Sequence, residues 1–483
     1  MLDFDFVTML PLISAGAIFG IFFGAIPGLT STAAVSLLLP FVYSMKPVEG
    51  MGVLLGAFCG GISGGAIPAA LLNIPGTPSS LCTTFDAYPL SQKGFADLAL
   101  GTALFASFWG GIISCVFLSI VSIPISKIAL EFGPLEYMLI TVMGMILSVR
   151  VEGKDKIKSA LALCIGMFFS MVGTDAITGV RRLTFGNVEL SAGINLLPFL
   201  IGVFAIPQVL SDSSSTEINV KKYQSNNSNI IRFPSVTEIR ENIGLLSLSS
   251  LIGFLIGILP GVGGSMASIM SYFVAKRTSH NKALFGKGCI EGVIASEASN
   301  NAMTGGALIT TLALGIPGEA CTAVILGGMS LLGLRAGPNI FEKHLDVIYG
   351  IIISFIIANI LILIFQTVGM NIFLRILSMP KYIINPIVIV FSVLGVYCSS
   401  NNYFDIYVMF FWGLFAYLLK KCSFSMTPMV MGFILCPMFE KYLRISVSIY
   451  NSPTEIFSRS LSVLLFIVTL MILVSFKFKG EWK

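Results

Sequence analysis

Residues 60–84 read GGISGGAIPAALLNIPGTPSSLCTT, and this stretch decides the kind of fold. It lies inside residues 50–85, a run that contains no Asp, Glu, Lys or Arg. A helix crosses a bilayer with about 20 apolar residues, so the run is long enough to span one. Pro75-Gly76 interrupts it, and such a break is tolerated at membrane depth only where the freed backbone groups face protein or a water-filled cavity. The stretch therefore predicts a broken or re-entrant membrane helix.

The composition of the whole chain is typical of a membrane protein. Of its 483 residues, 55% are hydrophobic and 11% are charged, whereas about 25% of the residues are charged in a soluble globular chain. Other long runs without charge cover residues 6–45, 98–126, 242–275 and 347–374. The net charge of +5 is spread over short loops, which indicates topology rather than a nucleic-acid surface. We expect an all-α polytopic protein in the lipid bilayer, with no nucleic-acid partner.

The two halves of the chain share motifs, which indicates an internal duplication. Three motifs occur in both halves in the same order: residues 20–28 match residues 253–261, residues 73–76 match residues 315–318, and residues 198–207 match residues 428–437. Pro and Gly are common in membrane helices, so one match alone would carry little weight. Three collinear matches favour two homologous repeats, which we expect to be inverted relative to each other.

The apolar runs predict about twelve transmembrane helices, some broken or re-entrant at Pro-Gly pairs, and one extra helix at the C-terminus. The predicted units are a first repeat (1–210), a polar central linker (211–242), a second repeat (243–445), and a C-terminal helix and tail (446–483). Loop charge favours a cytoplasmic side for Arg150–Lys158 and for the linker, whereas Arg181-Arg182 opposes that assignment.

The Pro-Gly pairs also predict where a site lies. Paired interruptions in the two halves of a transporter indicate a midplane site, at which helix N-termini receive anions and freed carbonyls receive cations. The candidates for substrate binding are Asn73, Gly76, Thr77, Ser79, Ser80, Asn300, Asn301, Pro317 and Gly318. The candidates for ion binding are Asn73, Pro75, Ser299, Thr304 and Gly315, and the candidate hinges are Pro27, Gly28, Pro260 and Gly261. The alternative is that the Pro-Gly pairs are kinks or turns at a membrane face.

A polar stretch at residues 291–306 precedes the last Pro-Gly pair. Polar and ionisable residues at membrane depth are costly and indicate function by default. Asn and Ser oxygens suit sodium, and Asn amides suit a carboxylate. The alternative is that this stretch is an aqueous loop before the next helix. Arg335 is expected at a helix end, although an Arg near an anion site also suits a substrate carboxylate.

The sequence offers little support for an enzyme or a resident cofactor. The chain has two histidines and no His-Glu-x-x-His zinc motif, and it lacks the Gly-x-x-x-x-Gly-Lys-Ser/Thr phosphate-binding loop. Its nine cysteines lie mostly in apolar segments without a Cys-x-x-Cys pair, so we expect them to be packing residues. A receptor or scaffold that binds a ligand without moving it is the second hypothesis, and a membrane-embedded enzyme is the third.

Four stretches carry a resemblance to a known family. Residues 24–41, 60–100, 257–272 and 285–338 resemble the large permease subunit of the tripartite tricarboxylate transporters. The resemblance implies a multi-pass permease of the bacterial inner membrane that takes up carboxylates such as citrate by symport. It also implies three further things: an ion gradient of Na⁺ or H⁺ as the driving force, a small membrane subunit, and a periplasmic solute-binding protein.

The chain departs from the family pattern at three positions. Ala87 stands where the family usually has Gly, Ser296 stands where it usually has Pro, and Glu319 stands where a small or hydroxyl residue is expected. A carboxylate at an anion site repels a trianion unless that carboxylate is protonated or ion-paired. We therefore expect a substrate that is smaller or less charged than citrate.

Overall fold

The computed structural model describes residues 5–26, 29–151, 155–175, 177–212, 231–377, 381–449 and 459–474. Helices make up nearly all of the described secondary structure. A short antiparallel pairing joins Gly173–Thr174 to Arg181–Arg182. The predicted all-α class is confirmed. The candidate hinges Pro27 and Gly28 lie outside the described residues, as does most of the predicted central linker.

The helices of the first half are α1 (Phe6–Ala25), α2 (Ser31–Val42), α3 (Pro47–Gly64), α4 (Ala66–Leu72), α5 (Leu81–Gln92), α6 (Ala96–Leu130), α7 (Pro134–Val151), α8 (Lys156–Ser170) and α9 (Leu196–Asp212). Short 3₁₀ turns cover Pro78–Ser80 and Glu189–Ala192. Because α5 follows the Pro78–Ser80 turn directly, that turn and α5 form one helical segment.

The helices of the second half are α10 (Val236–Ile258), α11 (Gly263–Thr278), α12 (Ile290–Ile309), α13 (Ala320–Leu331), α14 (Ile340–Lys343), α15 (Leu345–Leu377), α16 (Lys381–Ser400), α17 (Tyr403–Lys421) and α18 (Met426–Ile449). A 3₁₀ turn covers Lys282–Leu284, and a π-helical segment at Thr310–Leu314 extends α12. The helix α19 (Ser460–Val474) follows the second half, as predicted for the C-terminus.

Six of the described helical segments are long and apolar enough to cross a membrane. They are Phe6–Ala25, Pro47–Leu72, Ala96–Leu130, Val236–Ile258, Leu345–Arg375 and Tyr403–Lys421. Shorter apolar helices include α2, α9, α13 and α19. The chain is therefore a multi-pass membrane protein, and the total of about twelve spans stays a prediction.

Close helix contacts recur at matched glycines in the two halves. A β-carbon at Gly20 of α1 would lie 2.3 Å from the carbonyl oxygen of Ala57 on α3. A β-carbon at Gly253 of α10 would lie 2.0 Å from the carbonyl oxygen of Ser299 on α12. Small residues let membrane helices approach this closely, where packing rather than the hydrophobic effect holds them together.

The helices of the two halves also interleave. Gly110 and Ser114 of α6 pack in that order against Ala298 and Gly305 of α12, so these two helices run in parallel. The helices α3 and α15 are parallel in the same way, because Val48 packs against Gly350 and the Ser63 hydroxyl donates to the side-chain amide oxygen Oε1 of Gln366 at 3.0 Å.

The ends of these long helices define two faces of the molecule. Leu130, at the end of α6, lines the same cavity as His344, which immediately precedes α15. The end of α6 therefore lies at the face from which α3 and α15 begin, which we call the first face. The second face is the one from which α6 and α12 begin, and it contains residues 93–95 and 279–289.

Candidate functional site

A cavity of about 120 Å³ lies where segments of the two halves meet. Its lining consists mainly of small hydroxyl and glycine residues from four loops. The lining residues are Thr30, Ser31, Thr32, Ile62, Thr77, Pro78, Ser79, Phe204, Gly261, Gly263, Gly264, Ser265, Glu319, Ala320 and Thr427. We call this space the central cavity.

Four helical segments begin at the central cavity. Thr30 precedes α2, and its hydroxyl oxygen accepts the Ala33 N–H at 3.1 Å. Thr77 precedes the Pro78–Ser80 turn and α5. The helix α11 begins at Gly263, and α13 begins after Glu319. The first N–H groups of a helix have no intrahelical partner and carry a partial positive charge. These N-termini favour an anion in the cavity, whereas the carboxylate of Glu319, which also lines it, opposes one.

The local sequence explains why the first-half segment begins at Thr77. Pro78 occupies the first helical position, where its missing N–H costs nothing. The Thr77 N–H donates to the Ser80 hydroxyl at 3.3 Å, and that hydroxyl donates back to the Thr77 carbonyl at 2.9 Å. The hydroxyls of Thr77 and Ser79 are 2.9 Å apart. Thr77 and Ser79 line the cavity as predicted candidates, whereas Ser80 holds the turn.

The tips of the two broken helices have the same backbone conformation. Asn73 ends α4 with φ 58°, and Gly315 ends the π-helical extension of α12 with φ 69°, both in the left-handed region. Neither tip lines the central cavity. Asn73 is exposed, and Pro75 beside it is half-buried. The assignment of these residues to an ion site stays a prediction.

After the tip of each broken helix, the chain packs closely against a neighbouring helix at a glycine. Gly76 packs against Gly24, whose carbonyl oxygen would lie 2.2 Å from a β-carbon at position 76. Gly318 packs against Ala307 in the corresponding place, and Pro317 is buried beside it. Gly261 lines the cavity directly with φ +76°. Pro260 precedes it and is also buried.

The polar stretch of the second half is a buried helix. The whole of α12 from Gly292 to Ile309 is buried, so the alternative of an aqueous loop is wrong. Asn301 donates to the Glu297 carbonyl at 3.1 Å, and the Ser299 hydroxyl donates to the Ala295 carbonyl at 2.8 Å. These polar groups are satisfied mainly within their own helix.

The structure does not bring the α12 candidates to the central cavity. Asn300, Asn301, Ser299 and Thr304 are absent from its lining. The Thr304 hydroxyl donates to the Asn301 carbonyl at 2.6 Å. The side chains of Asn300 and Asn301 lie instead beside the carboxylate of Glu297. They form a separate polar cluster between α5, α6 and α12.

Several lining residues are not among those that the sequence predicts. Thr30, Gly263, Gly264, Ser265 and Thr427 line the central cavity but were not candidates. A signal was present for four of them, because Thr30 follows the Pro27-Gly28 pair and residues 263–265 follow the Pro260-Gly261 pair. The sequence pattern identifies those pairs only as candidate hinges.

A second, larger cavity of about 1030 Å³ lies at the first face. We call it the basic cavity. Its lining includes Arg335, Lys343, His344 and Lys441, all of them exposed, and the described residues that line it include no Asp or Glu. Gly315, at the tip of the second broken helix, also lines it. Arg335 lies in the loop after α13, as expected for a residue at a helix end.

Comparisons of the sequence with known proteins identify one family. The sequence model of the tripartite tricarboxylate transporter TctA family matches residues 10–431. An uncharacterized 52.8 kDa protein in the TAR-I ttuC' 3'region of Agrobacterium vitis is 33% identical over 445 residues, which cover 92% of this chain and 88% of that protein.

A second similar protein is an uncharacterized protein in the TAR-II ttuC' 3'region of the same organism. It is 35% identical over 205 residues, which cover 42% of this chain and 85% of that protein. The family match covers most of the chain, including both sets of segments around the central cavity. The chain belongs to the TctA family, and it is the large membrane subunit of a tripartite tricarboxylate transporter.

Proposed function

We propose that the chain is a secondary active permease that carries a carboxylate through the central cavity, driven by an ion gradient. The observation that carries the proposal is the meeting of four helical N-termini, two from each half, at one small cavity. Helix N-termini hold anions through their free N–H groups and the helix dipole. Hydroxyls of Thr30, Thr77 and Ser79 add donors at the same place.

Alternating access by two inverted repeats is the mechanism that we propose. The matched contacts Gly20–Ala57 and Gly253–Ser299 support the repeats. Inversion is supported by the directions of the helices, because α3 begins at the first face and its counterpart α12 begins at the second. Each half then contributes one broken helix to a shared site, which is a common arrangement in secondary transporters.

We propose that the second face is cytoplasmic, on the positive-inside rule. Basic residues near that face are Lys93, Arg150, Lys156, Lys158, Arg232, Arg240, Lys276, Arg277, Lys282, Lys287, Lys420 and Lys421. Arg182, which opposed this orientation in the sequence, pairs with Asp175 at 2.8 Å and with Glu440 at 2.8 Å at the first face. Its charge is thus balanced locally.

The basic cavity supports an anionic substrate that arrives from the first face. A cleft lined by one sign of charge concentrates ions of the opposite sign and raises their association rate. Arg335, Lys343 and Lys441 provide that positive sign, and no described lining residue carries a carboxylate. Because Gly315 also lines this cavity, the cavity leads an anion to the tip of the second broken helix.

The central cavity favours a small carboxylate over a trianion such as citrate. At about 120 Å³, it is smaller than the pockets of about 300–1,000 Å³ that hold drug-sized ligands. Glu319 lies in the lining, and its carboxylate repels further negative charge. We therefore propose a mono- or dicarboxylate substrate for this chain.

The tripartite organisation of the family supports two protein partners. We propose that a small membrane subunit packs beside this chain in the bacterial inner membrane. We also propose that a periplasmic solute-binding protein delivers the substrate at the first face, where the basic cavity opens.

The test of this function is the uptake of labelled mono-, di- and tricarboxylates into proteoliposomes that hold the chain. Vesicles are prepared with and without the small subunit and the binding protein, and with and without an inward Na⁺ or H⁺ gradient. Gradient-dependent uptake of a mono- or dicarboxylate that requires the binding protein supports the proposal. Binding of the carboxylate without any uptake would favour a receptor instead.

A further inference from the structure

Glu297 is a carboxylate in the interior of a membrane protein, and the fold places it away from both cavities described above. It lies near the middle of α12 and is 0% exposed. The hydroxyl of Thr83 on α5 donates to one of its oxygens, and the hydroxyl of Ser107 on α6 donates to the other at 2.9 Å. The carboxylate therefore joins one helix of the second half to two helices of the first.

The partners that the described residues offer this carboxylate are all neutral. Besides the two hydroxyls, the side-chain amides of Asn300 and Asn301 approach it at 3.5 and 3.4 Å. The ion pairs between described residues involve Asp175, Glu440 or Glu136, and none involves Glu297. An ionised carboxylate is costly to bury without a countercharge, so this group calls for a bound positive charge.

A second observation points to the same ligand. The amide oxygen of Asn300 is buried, and no described residue donates a hydrogen bond to it. A buried acceptor without a donor costs about 1–3 kcal/mol. A bound cation, or a proton on the neighbouring carboxylate, would satisfy that oxygen and the carboxylate together.

The other ionisable groups around α12 do not supply this charge. The ionisable residues on the helices packed against it are Glu49, Cys59, Cys82, Asp86, Tyr88, Asp97, Cys115, Lys127, Glu238, Arg240, Glu241, Tyr272, Lys276 and Arg277. None of them is a hydrogen-bond partner of the Glu297 carboxylate among the described residues. Asp86, one turn from Thr83 on α5, is instead held by the N–H groups of Gly286, Gly288 and Cys289.

We propose that Glu297 is the coupling residue of the transporter and binds one monovalent positive charge, a proton or Na⁺. The carboxylate supplies the negative charge, and the oxygens of Asn300, Thr83 and Ser107 complete the site. Loading the cation neutralises the cluster and allows α5, α6 and α12 to move as one body. Releasing it restores the bare carboxylate and disfavours that movement. This inference rests on the proposed transport function.

The test compares Glu297→Gln with Glu136→Gln in the purified full-length chain. Glu136 is the matched control because it is also 0% exposed, but it has a countercharge in Arg459 at 3.4 Å. Thermal unfolding is measured while Na⁺ is titrated at fixed pH, and again while pH is lowered in Na⁺-free buffer. We expect wild type and Glu136→Gln to be stabilised in one of these two series, which identifies the cation.

Glu297→Gln should lose that response, with an apparent cation affinity about 30-fold or more lower, the factor that corresponds to about 2 kcal/mol. In proteoliposomes, Glu297→Gln should keep substrate exchange while its uptake no longer rises with the cation gradient. The same cation response in Glu297→Gln as in wild type would overturn the inference. If wild type shows no carboxylate uptake, the proposed function itself fails, and the unfolding titration still tests the cation site.

Discussion

Gly76 and Gly318 occupy equivalent places in the two halves, each at the point where the chain returns from a broken helix into the core. A β-carbon at Gly76 would lie 2.2 Å from the Gly24 carbonyl oxygen, and one at Gly318 would lie 2.7 Å from the Ala307 α-carbon. In both cases the obstructing atom belongs to the backbone of a neighbouring helix, so making room for a β-carbon requires that helix to shift. The close approach holds the N-termini of the central cavity in position.

The first prediction follows from this contact. Gly76→Ala and Gly318→Ala should each destabilise the chain by about 1–3 kcal/mol and strongly reduce uptake, because the added methyl group forces the helices apart. Gly244→Ala is the control, since no atom of a described residue lies within 4 Å of a β-carbon there. Thermal unfolding and uptake by reconstituted protein are the measurements. Wild-type uptake in Gly76→Ala would contradict the packing argument.

The second prediction concerns the hydroxyls of the central cavity. Ser79→Ala and Thr77→Val should raise the KM for the carboxylate by about five- to thirtyfold, because each removes one hydrogen-bond donor worth about 1–2 kcal/mol to a charged group. Ser91→Ala is the matched control for these variants. Ser91 lies on α5, the helix that follows Ser79, but its hydroxyl donates to the Ala87 carbonyl outside the cavity. An unchanged KM in both cavity variants would place the substrate elsewhere.

The third prediction concerns the basic cavity. Arg335→Gln should slow uptake by about tenfold at low ionic strength and by much less at high salt, because screening weakens electrostatic attraction. Lys282→Gln is the control, since Lys282 is exposed at the opposite face. Initial uptake rates are measured over a salt series. Equal effects of the two substitutions on the uptake rate would contradict the proposal that the substrate enters from the first face.

The fourth prediction concerns the ion pairs at the first face, which join Asp175 and Glu440 to Arg182 and Arg444. The Thr178 hydroxyl and the Arg444 guanidinium hold the pKa of the Asp175 carboxyl well below its usual range. A depressed pKa stabilises the fold above the unfolded pKa of about 4, and that stabilisation is lost as the pH falls toward the folded pKa. Asp175→Asn should therefore melt below wild type at neutral pH, and the gap should narrow below about pH 4. A constant gap over this range would contradict the assigned ionisation.

The sequence was most informative about features that depend on local backbone chemistry. Pro75-Gly76 and Pro317-Gly318 interrupt helices as predicted, because Pro removes a backbone donor and the adjacent Gly adds conformational freedom. Thr77 and Ser79, two of the residues proposed for substrate binding, follow the first of these pairs closely and line the central cavity. Proximity to a break along the chain was therefore informative about proximity in space.

The sequence was less informative where two distant segments meet. Asn300 and Asn301 were proposed for the substrate site, but they lie on a continuous buried helix beside Glu297. A single polar residue in an apolar helix does not indicate which neighbouring helix its side chain faces. Periodicity alone therefore cannot predict which cavity that residue lines. Ser265 and Thr427 line the central cavity through contacts between elements that the chain order does not specify.

The most direct test of the central claim is an experimental structure of the chain with its transported carboxylate bound. We expect density for the ligand in the central cavity, with its carboxylate oxygens within about 3 Å of the Thr77 or Ser79 hydroxyls and of helix N-terminal N–H groups. Ligand density only in the basic cavity near Arg335, with the central cavity filled by side chains, would contradict the account.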